Sequence, residues 1–301
     1  MVTIGICVRN CEESIESVIE SVVNQNFPND QMQIIFVDDD SKDRTLEIIR
    51  KFVSKIEVKA GVYHQNWRGI AAARNVVVQK ARGKYIIWVD GDMKLPPDYV
   101  RKQVEYMERN PRVGVAKARY GFNKSKKIAA ILENSRAFGL RPNNPKLVGT
   151  GGSIYRVEAV REVGGFDEGI KGAGEDMDAL IRMLKKGWLL STTDVEFYEQ
   201  FKETWSSLWL QYCWWGYGAH YIKHKHPHAI STVARLPIVA FLIGILRFFR
   251  VYKSHRKMTY LLLPFHSMFK ETAWCVGFVK SHMDGYGHKS QIMKIQVDHN
   301  V

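Results

Sequence analysis

Acidic residues nearly vanish from the last quarter of this sequence. Between positions 223 and 294 only Glu271 and Asp284 oppose twelve lysines and arginines, a local excess of +10 in a chain whose formal net charge is +13. The first three quarters are therefore close to neutral. Such asymmetry implies two parts with different partners, the second facing an anionic surface, either membrane or nucleic acid. Cysteine is scarce too. Cys7, Cys11, Cys213 and Cys275 show no zinc-finger spacing, and reduced cytosolic thiols are the simpler reading. No repeat or low-complexity tract stands out. The chain opens on Val2-Thr3-Ile4-Gly5-Ile6 without a basic n-region or cleavage site, so no secretory signal is expected. Long apolar runs are missing as well. Residues 236–246 are eleven uncharged positions between Arg235 and Arg247, and residues 258–269 are twelve between Lys257 and Lys270. Both fall short of the ~20 residues that a spanning helix needs, and both contain a proline.

What is present is a core-forming composition, 46% hydrophobic over 301 residues, enough for one large α/β domain with an appendage. Apolar stretches at 2–8, 33–37, 58–63 and 85–89 read as strands. Helical spacing marks 11–24, a segment from Ser41 or Asp43 to Val53, the alanine-rich 69–81, and 97–108. Four alternations of strand and helix mean parallel strands with crossover helices, and such sheets bind ligands beyond the carboxyl ends of their strands. Asp38 and Asp90 end strands and should line one crevice. After Gly114 the pattern loosens. It then offers a helix over 126–138, a glycine-rich stretch at 149–153, a turn at 164–167 and a helix over 174–186.

Val89-Asp90-Gly91-Asp92 is the centre of the chemical reading. Gly91 lets the chain turn, so both carboxylates return to one side, where they repel unless a cation intervenes. A hard divalent ion with oxygen ligands, Mn2+ or Mg2+, suits them and keeps positions open for phosphate oxygens. Asp38, Asp39 and Asp40 form a second acidic cluster, able to accept from a nucleobase N–H or ribose hydroxyl. A solvated turn that caps the following helix fits the same residues.

These pieces together resemble the inverting glycosyltransferases of family 2. The similarity runs through Ile4–Asn10, Val37–Thr45, Gly69–Asn75, Gly83–Asp92, Gly149–Arg156 and Gly164–Asp176, in the family's order, over roughly residues 1–190. It implies a GT-A fold, Rossmann-like, with a mostly parallel sheet flanked by helices. It also implies that Val8, Arg9 and Asp38 or Asp39 hold the nucleoside, and that Arg74 lies near base or phosphates. By the same likeness Asp90, Gly91 and Asp92 meet ribose and the metal–diphosphate, Gly151, Gly152, Glu175, Gln211 and Trp215 line the acceptor side, and Asp176 is the catalytic base. A carboxylate at a helix start is equally favoured by the helix dipole. Processive members carry Gln-X-X-Arg-Trp. Here Gln211 and Trp215 keep the spacing, but Trp214 stands in the arginine's place, which favours single transfer.

A boundary is expected near 203/204, giving a catalytic domain over 1–203 and a helical, membrane-associated segment over 204–301. Trp205, Trp209, Tyr212, Trp214, Trp215, Tyr217 and Tyr221 crowd the start of that segment like an interfacial belt. The two short apolar runs read as amphipathic or re-entrant pieces lying on a bilayer through residues 232–280. A helical core packed on the first domain is the competing reading. His220, His224, His226 and His228 form a histidine-rich stretch whose spacing resembles a strand more than a ligand set, which favours a solvated or headgroup-facing segment over a metal site, while a single histidine completing the Asp92 metal site stays open. The resulting expectation is a UDP- or GDP-sugar-dependent transferase at the cytoplasmic membrane face, with a lipid-linked or polyprenyl-phosphate acceptor. Two other classes remain open: a sugar-1-phosphate nucleotidyltransferase and a non-catalytic binder of nucleic acid or membrane.

Overall fold

Eight strands form one sheet in the computed structural model, which describes residues 1–121, 125–135, 149–170 and 172–286. The first half follows the alternation in the sequence. β1 (Val2–Val8), α1 (Ile15–Val23), β2 (Met32–Asp39), α2 (Thr45–Val53), β3 (Lys59–Gln65), α3 (Ile70–Lys80) and β4 (Tyr85–Val89) succeed one another. β1 lies between β2 and β4, β3 flanks β2, and all these pairs are parallel. The register sets Val8 beside Asp38 and Asp38 beside His64, so the carboxyl ends share one edge.

The second half breaks the parallel rule. After β5 (Met93–Lys94) and α4 (Tyr99–Arg109) come β6 (Val113–Tyr120), α5 (Ile128–Glu133), β7 (Ser153–Arg156), α6 (Val157–Glu162), α7 (Glu175–Lys185) and β8 (Leu189–Glu199). β7 enters antiparallel between β4 and β6, β6 pairs parallel with β8, and β5 pairs antiparallel with β8. The sheet is mixed, with its parallel part where the alternation is plain. The helix expected over 126–138 is α5 in its described part; positions 136–138 lie outside the described residues.

Both faces of the sheet are covered. Ile4, Ile6, Ile34 and Phe36 point with α1 and α4 into one core, and Ile35, Val37, Ile86 and Trp88 into another with α3, α6 and α7. Gly5 is needed where α3 closes on β1, because a Cβ there would stand 2.7 Å from Val77 Cγ1.

The chain divides into two compact units. The first holds the described residues of 1–122, 140–168 and 175–200, the second those of 123–139, 169–174 and 201–301. The second is helical: α8 (Trp205–Lys225), α9 (Pro237–His255) and α10 (Leu263–Met283), with α5. Thr204 caps α8 by accepting the Ser207 N–H at 3.2 Å. The two prolines do not interrupt helices. Pro237 is the first residue of α9 and Pro264 the second of α10, positions whose N–H has no intrahelical partner anyway. Much of the aromatic crowd packs inward. Trp205 and Trp209 meet the Phe269 ring at 5.1 and 5.2 Å, and Tyr217 and Tyr221 each meet Tyr286 at 5.1 Å. Buried Glu133 joins α5 to α10 through Lys270 Nζ at 2.7 Å.

α8 and α10 cross where both carry glycine. A Cβ at Gly216 would overlap the Trp274 carbonyl, and one at Gly277 the Cys213 carbonyl. Gly277→Ala forces the backbones apart. It should lower stability by about 1–3 kcal/mol as an overpacking substitution, measured by urea denaturation followed at the tryptophans. An unchanged midpoint would show that the crossing tolerates the extra carbon.

Candidate active site

The first unit gathers its polar groups at the carboxyl ends of β1, β2 and β4. The β1–α1 loop is fastened to the β2–α2 loop by reciprocal hydrogen bonds. Asn10 N–H donates to Ser41 Oγ (3.0 Å), Lys42 N–H to Asn10 Oδ1 (2.8 Å), Cys11 N–H to Thr45 Oγ1 (2.7 Å) and Glu12 N–H to Asp43 Oδ2 (3.1 Å). Ser41 thus serves the neighbouring loop. Asp43 receives the Thr45 N–H at the start of α2.

The two expected nucleoside acids do different work here. Asp39 shapes a loop: its oxygens receive Gln65 Nε2 (2.7 Å), the Arg68 N–H (2.9 Å) and the Gly69 N–H (3.0 Å). Asp38 is fully buried. Its Oδ2 receives the Ser41 N–H and faces His64 Nδ1 at 2.9 Å, while its Oδ1 accepts no hydrogen bond from the described residues. At the rim beyond buried Val8, the Arg9 guanidinium lies 4.7 Å over the exposed Trp67 ring. Trp67 and His64 belong to no motif in the sequence. Their one signal was position, just after an apolar strand and just before the alanine-rich helix.

Around Asp90 the structure brings together Arg74, Gly151, Glu175 and Asp176. Arg74 reaches from α3, almost fully buried, and forms an ion pair with Glu175 Oε1; its other terminal nitrogen is 3.9 Å from Asp90 Oδ1. The neighbouring Asn75 side chain fastens the 164–168 turn, receiving the Phe166 N–H (2.8 Å) and donating to the Phe166 carbonyl (2.9 Å). The Ala-Arg-Asn stretch therefore serves two sites with successive residues. Gly151 has no room for a Cβ, which would overlap Asp90 Oδ2, and Gly152 takes φ +65 against the Phe197 ring. Lys117, buried on β6, donates to the carbonyls of Gly149 and Gly151 and holds this loop down. Nothing in the loose pattern after Gly114 had marked it.

Glu175 and Asp176 open α7 and diverge. Glu175 is buried against Arg74, and burial pushes its carboxyl above the ordinary range. Asp176 is partly exposed. Its Oδ1 receives the Met177 N–H at 2.7 Å and its Oδ2 the Thr150 N–H at 3.3 Å. Arg182 pairs with buried Asp178 at 2.7 Å and donates to the Gly165 carbonyl, which settles its role as a tie to that turn. The Cys7 thiol is pushed up to about 12, chiefly by burial, which disfavours the thiolate that a nucleophile needs. Asp90 is nearly half exposed and Asp92 partly so, on one turn around buried Gly91. Two partly exposed carboxylates, with a neighbouring cradle that only glycine fits, are the oxygen-ligand type that a hard divalent cation takes. Gln211 and Trp215 belong to the second unit, one turn apart on α8 and half-buried, with Trp215 against Tyr212 at 4.8 Å.

Breaking the Arg74 pair tests this electrostatic arrangement. Arg74→Met leaves Glu175 buried without its counter-charge and should cost about 3–5 kcal/mol in urea denaturation. Adding Glu175→Leu should return part of that loss. No recovery in the double variant would mean that Arg74 acts by packing alone.

Comparison with known proteins fits this geometry. The family model described as glycosyl transferase family 2 matches residues 3–164, and that of glycosyl transferase family group 2 matches residues 85–279. The poly(ribitol-phosphate) β-N-acetylglucosaminyltransferase TarS of Staphylococcus aureus is 33% identical over 94 residues, 31% of this chain and 16% of that protein. A poly-β-1,6-N-acetyl-D-glucosamine synthase of Staphylococcus epidermidis is 26% identical over 228 residues, 70% of this chain and 52% of that one. The matched stretches thus span a sixth to a half of these relatives. Among solved structures, the mannosyltransferase PcManGT of Pyrobaculum calidifontis, in complex with GDP-Man and Mn2+, superposes with a TM-score of 0.68 at 16% identity, covering 94% of this chain and 87% of that one. A matching family model over more than half the sequence and the shared architecture lead to one conclusion: the chain belongs to glycosyl transferase family 2, as an enzyme of the glycosyltransferase type with a GT-A fold.

Proposed function

We propose that this protein is an inverting, single-transfer glycosyltransferase that uses a UDP- or GDP-sugar and a membrane-borne, lipid-linked acceptor at the cytoplasmic face of the cell membrane. The observation that carries the reading is the convergence of Asp90, Arg74, Glu175 and Asp176 on the Gly149–Gly152 loop. In this reading Val8, Arg9 and Asp38 take the nucleoside, the buried Asp38 Oδ1 accepting from the base, with Asp39 setting the loop beside it. Asp90 and Asp92 hold Mn2+ or Mg2+, whose chemistry when bound is to neutralise charge on the leaving diphosphate. Arg74 adds a fixed positive charge beside Asp90. Asp176 takes the acceptor's proton, because it is the solvent-reaching member of the adjacent acids, while Glu175 is spent on Arg74. Gly151 and Gly152 form the wall on the acceptor side. Relatives named as a poly(ribitol-phosphate) β-N-acetylglucosaminyltransferase and a poly-β-1,6-N-acetyl-D-glucosamine synthase support a glycan-type acceptor, and neighbours solved with UDP-GlcNAc and GDP-Man support a nucleotide-sugar donor.

The membrane part rests on the second unit's surface. Among the described residues no helix is long and apolar enough to cross a membrane. Yet Ile238, Leu242, Leu246 and Phe249 form one stripe along α9, each more than half exposed, and Met258, Phe265, Val279 and Met283 are exposed as well. Arg247, Arg250 and Lys253 interleave with the stripe. An apolar face with basic neighbours suits insertion into an anionic interface.

Purified protein with Mn2+ or Mg2+ should release nucleoside diphosphate slowly from one member of a nucleotide-sugar panel, and Asp92→Ala should abolish that release. Asp176→Asn should keep donor binding while transfer to the acceptor falls about 10²–10⁴-fold. An Asp176→Asn enzyme with full transfer would remove Asp176 from the base role; no donor binding under any metal condition would overturn the transferase reading. On vesicles, the chain should sediment with anionic but not neutral lipid, and Leu246→Asp/Phe249→Asp should stay in the supernatant with donor hydrolysis unchanged. Equal sedimentation of this variant would refute the α9 surface.

A further inference from the structure

Three histidines of the second unit meet outside the donor site. His220 and His224 sit one turn apart near the end of α8, and His282 near the end of α10. Their spacing is helical, which corrects the strand-like reading of the histidine-rich stretch; His226 is the residue that ends the helix.

The His220 ring is buried, and its Nδ1 lies 2.8 Å from the Tyr286 carbonyl oxygen. A carbonyl only accepts, so Nδ1 carries the proton and Nε2 presents its lone pair. That lone pair faces two further ring nitrogens, His224 Nε2 and His282 Nδ1, each at 3.2 Å. One candidate ligand atom from each of the three rings falls within 4.8 Å of the others. A single lone pair accepts one hydrogen bond well, whereas a cation can take all three nitrogens together. Two imidazoles on tetrahedral Zn2+, with Zn–N of ~2.0–2.1 Å, hold their nitrogens about 3.3 Å apart, which is close to the spacing seen here. The carbonyl on the far side of His220 is the outer-shell partner that fixes the tautomer of a metal-bound histidine. The Phe278 ring, 5.0 Å from His220, closes the apolar side.

We infer that His220, His224 and His282 form a binding site for a zinc-class divalent cation that clasps the ends of α8 and α10. Three neutral imidazoles select Zn2+ and its transition-metal neighbours rather than Mg2+, and leave one coordination position for water. The glycine crossing at Gly216 and Gly277 makes the site reachable. It brings the backbones together four residues before His220 and five before His282, so rings from both helices can share one ion. The site shares no residue with the Asp90–Asp92 pair and stands whether or not the donor chemistry is as proposed.

The test uses the full chain without a polyhistidine tag, stripped with chelator and dialysed against Zn2+. Elemental analysis should give one zinc per chain, and Co2+ in its place should give the visible bands of a tetrahedral nitrogen site. His224→Ala and His282→Ala remove exposed rings, with folding checked by circular dichroism. Each should weaken zinc at least about tenfold in competition with a chromophoric chelator and lower the thermal midpoint only when zinc is present. Asp92→Ala and His226→Ala should bind as the parent does. The inference is overturned if the parent retains no zinc, if either histidine variant binds as tightly as the parent, or if zinc is lost in Asp92→Ala.

Discussion

The buried guanidinium of Arg74 is what allows this site to exist. Asp90, Glu175 and Asp176 come from β4 and α7 to a place where like charges would repel, and one of them, Glu175, has almost no access to water. Unpaired, a buried carboxylate there would carry the full penalty of desolvation. The Arg74 side chain lies between α3 and the sheet, its charge centre 5.9 and 5.7 Å from the rings of Trp88 and Phe166, so its own position is fixed by packing. An arginine suits this better than a lysine, because its planar fork can serve Glu175 and Asp90 from different nitrogens. The glycines at 151 and 152 and the buried Lys117 then bring the loop down to the width that this cluster leaves.

The parallel half of the fold was legible because its physics is periodic. Strands of continuous Val and Ile alternate with helices whose apolar residues recur every three to four positions, and an acid at a strand's end is visible in one line of sequence. The antiparallel half was not legible, for a reason seen in Lys117. A lysine inside a strand argues for exposure, yet this one is buried with its amine 5.0 Å from the Phe197 ring and its hydrogens on loop carbonyls. β7 is only four residues long, and β8 mixes buried threonines at 192 and 193 with acids at 194, 196 and 199. Such strands are defined by partners more than a hundred positions away in some pairs, which no local pattern encodes. The two prolines of the C-terminal part misled similarly. Proline reads as an interruption until a helix is known to begin at it.

The charge asymmetry also takes on meaning from the helices. Net charge says nothing about fold; what matters is that Arg247, Arg250 and Lys253 share α9 with an exposed apolar stripe, whereas the aromatics of α8 mostly face other rings. An aromatic cluster and a basic tract look like one membrane signal in the sequence. In the structure several of the α8 aromatics stack on one another and on α10 while Trp205 and Trp214 stay exposed, and α9 carries the exposed apolar stripe with the basic residues.

Adjacent acids with opposite fates make the clearest case for reading chemistry from environment. Glu175 and Asp176 are neighbours at one helix start, equally favoured by the helix dipole, and a sequence cannot rank them. The helix ranks them by direction. A 100° step between successive residues turns Glu175 inward to Arg74 and Asp176 toward the Thr150 backbone and solvent. The longer side chain is the one that must reach the buried guanidinium, and the shorter one is held by backbone N–H groups that limit its motion. Exchanging the two residues would leave the charge of the site unchanged and would defeat both arrangements. The order Glu-Asp is therefore a geometric requirement of the cluster around Arg74, beyond a general need for acidity at that helix end.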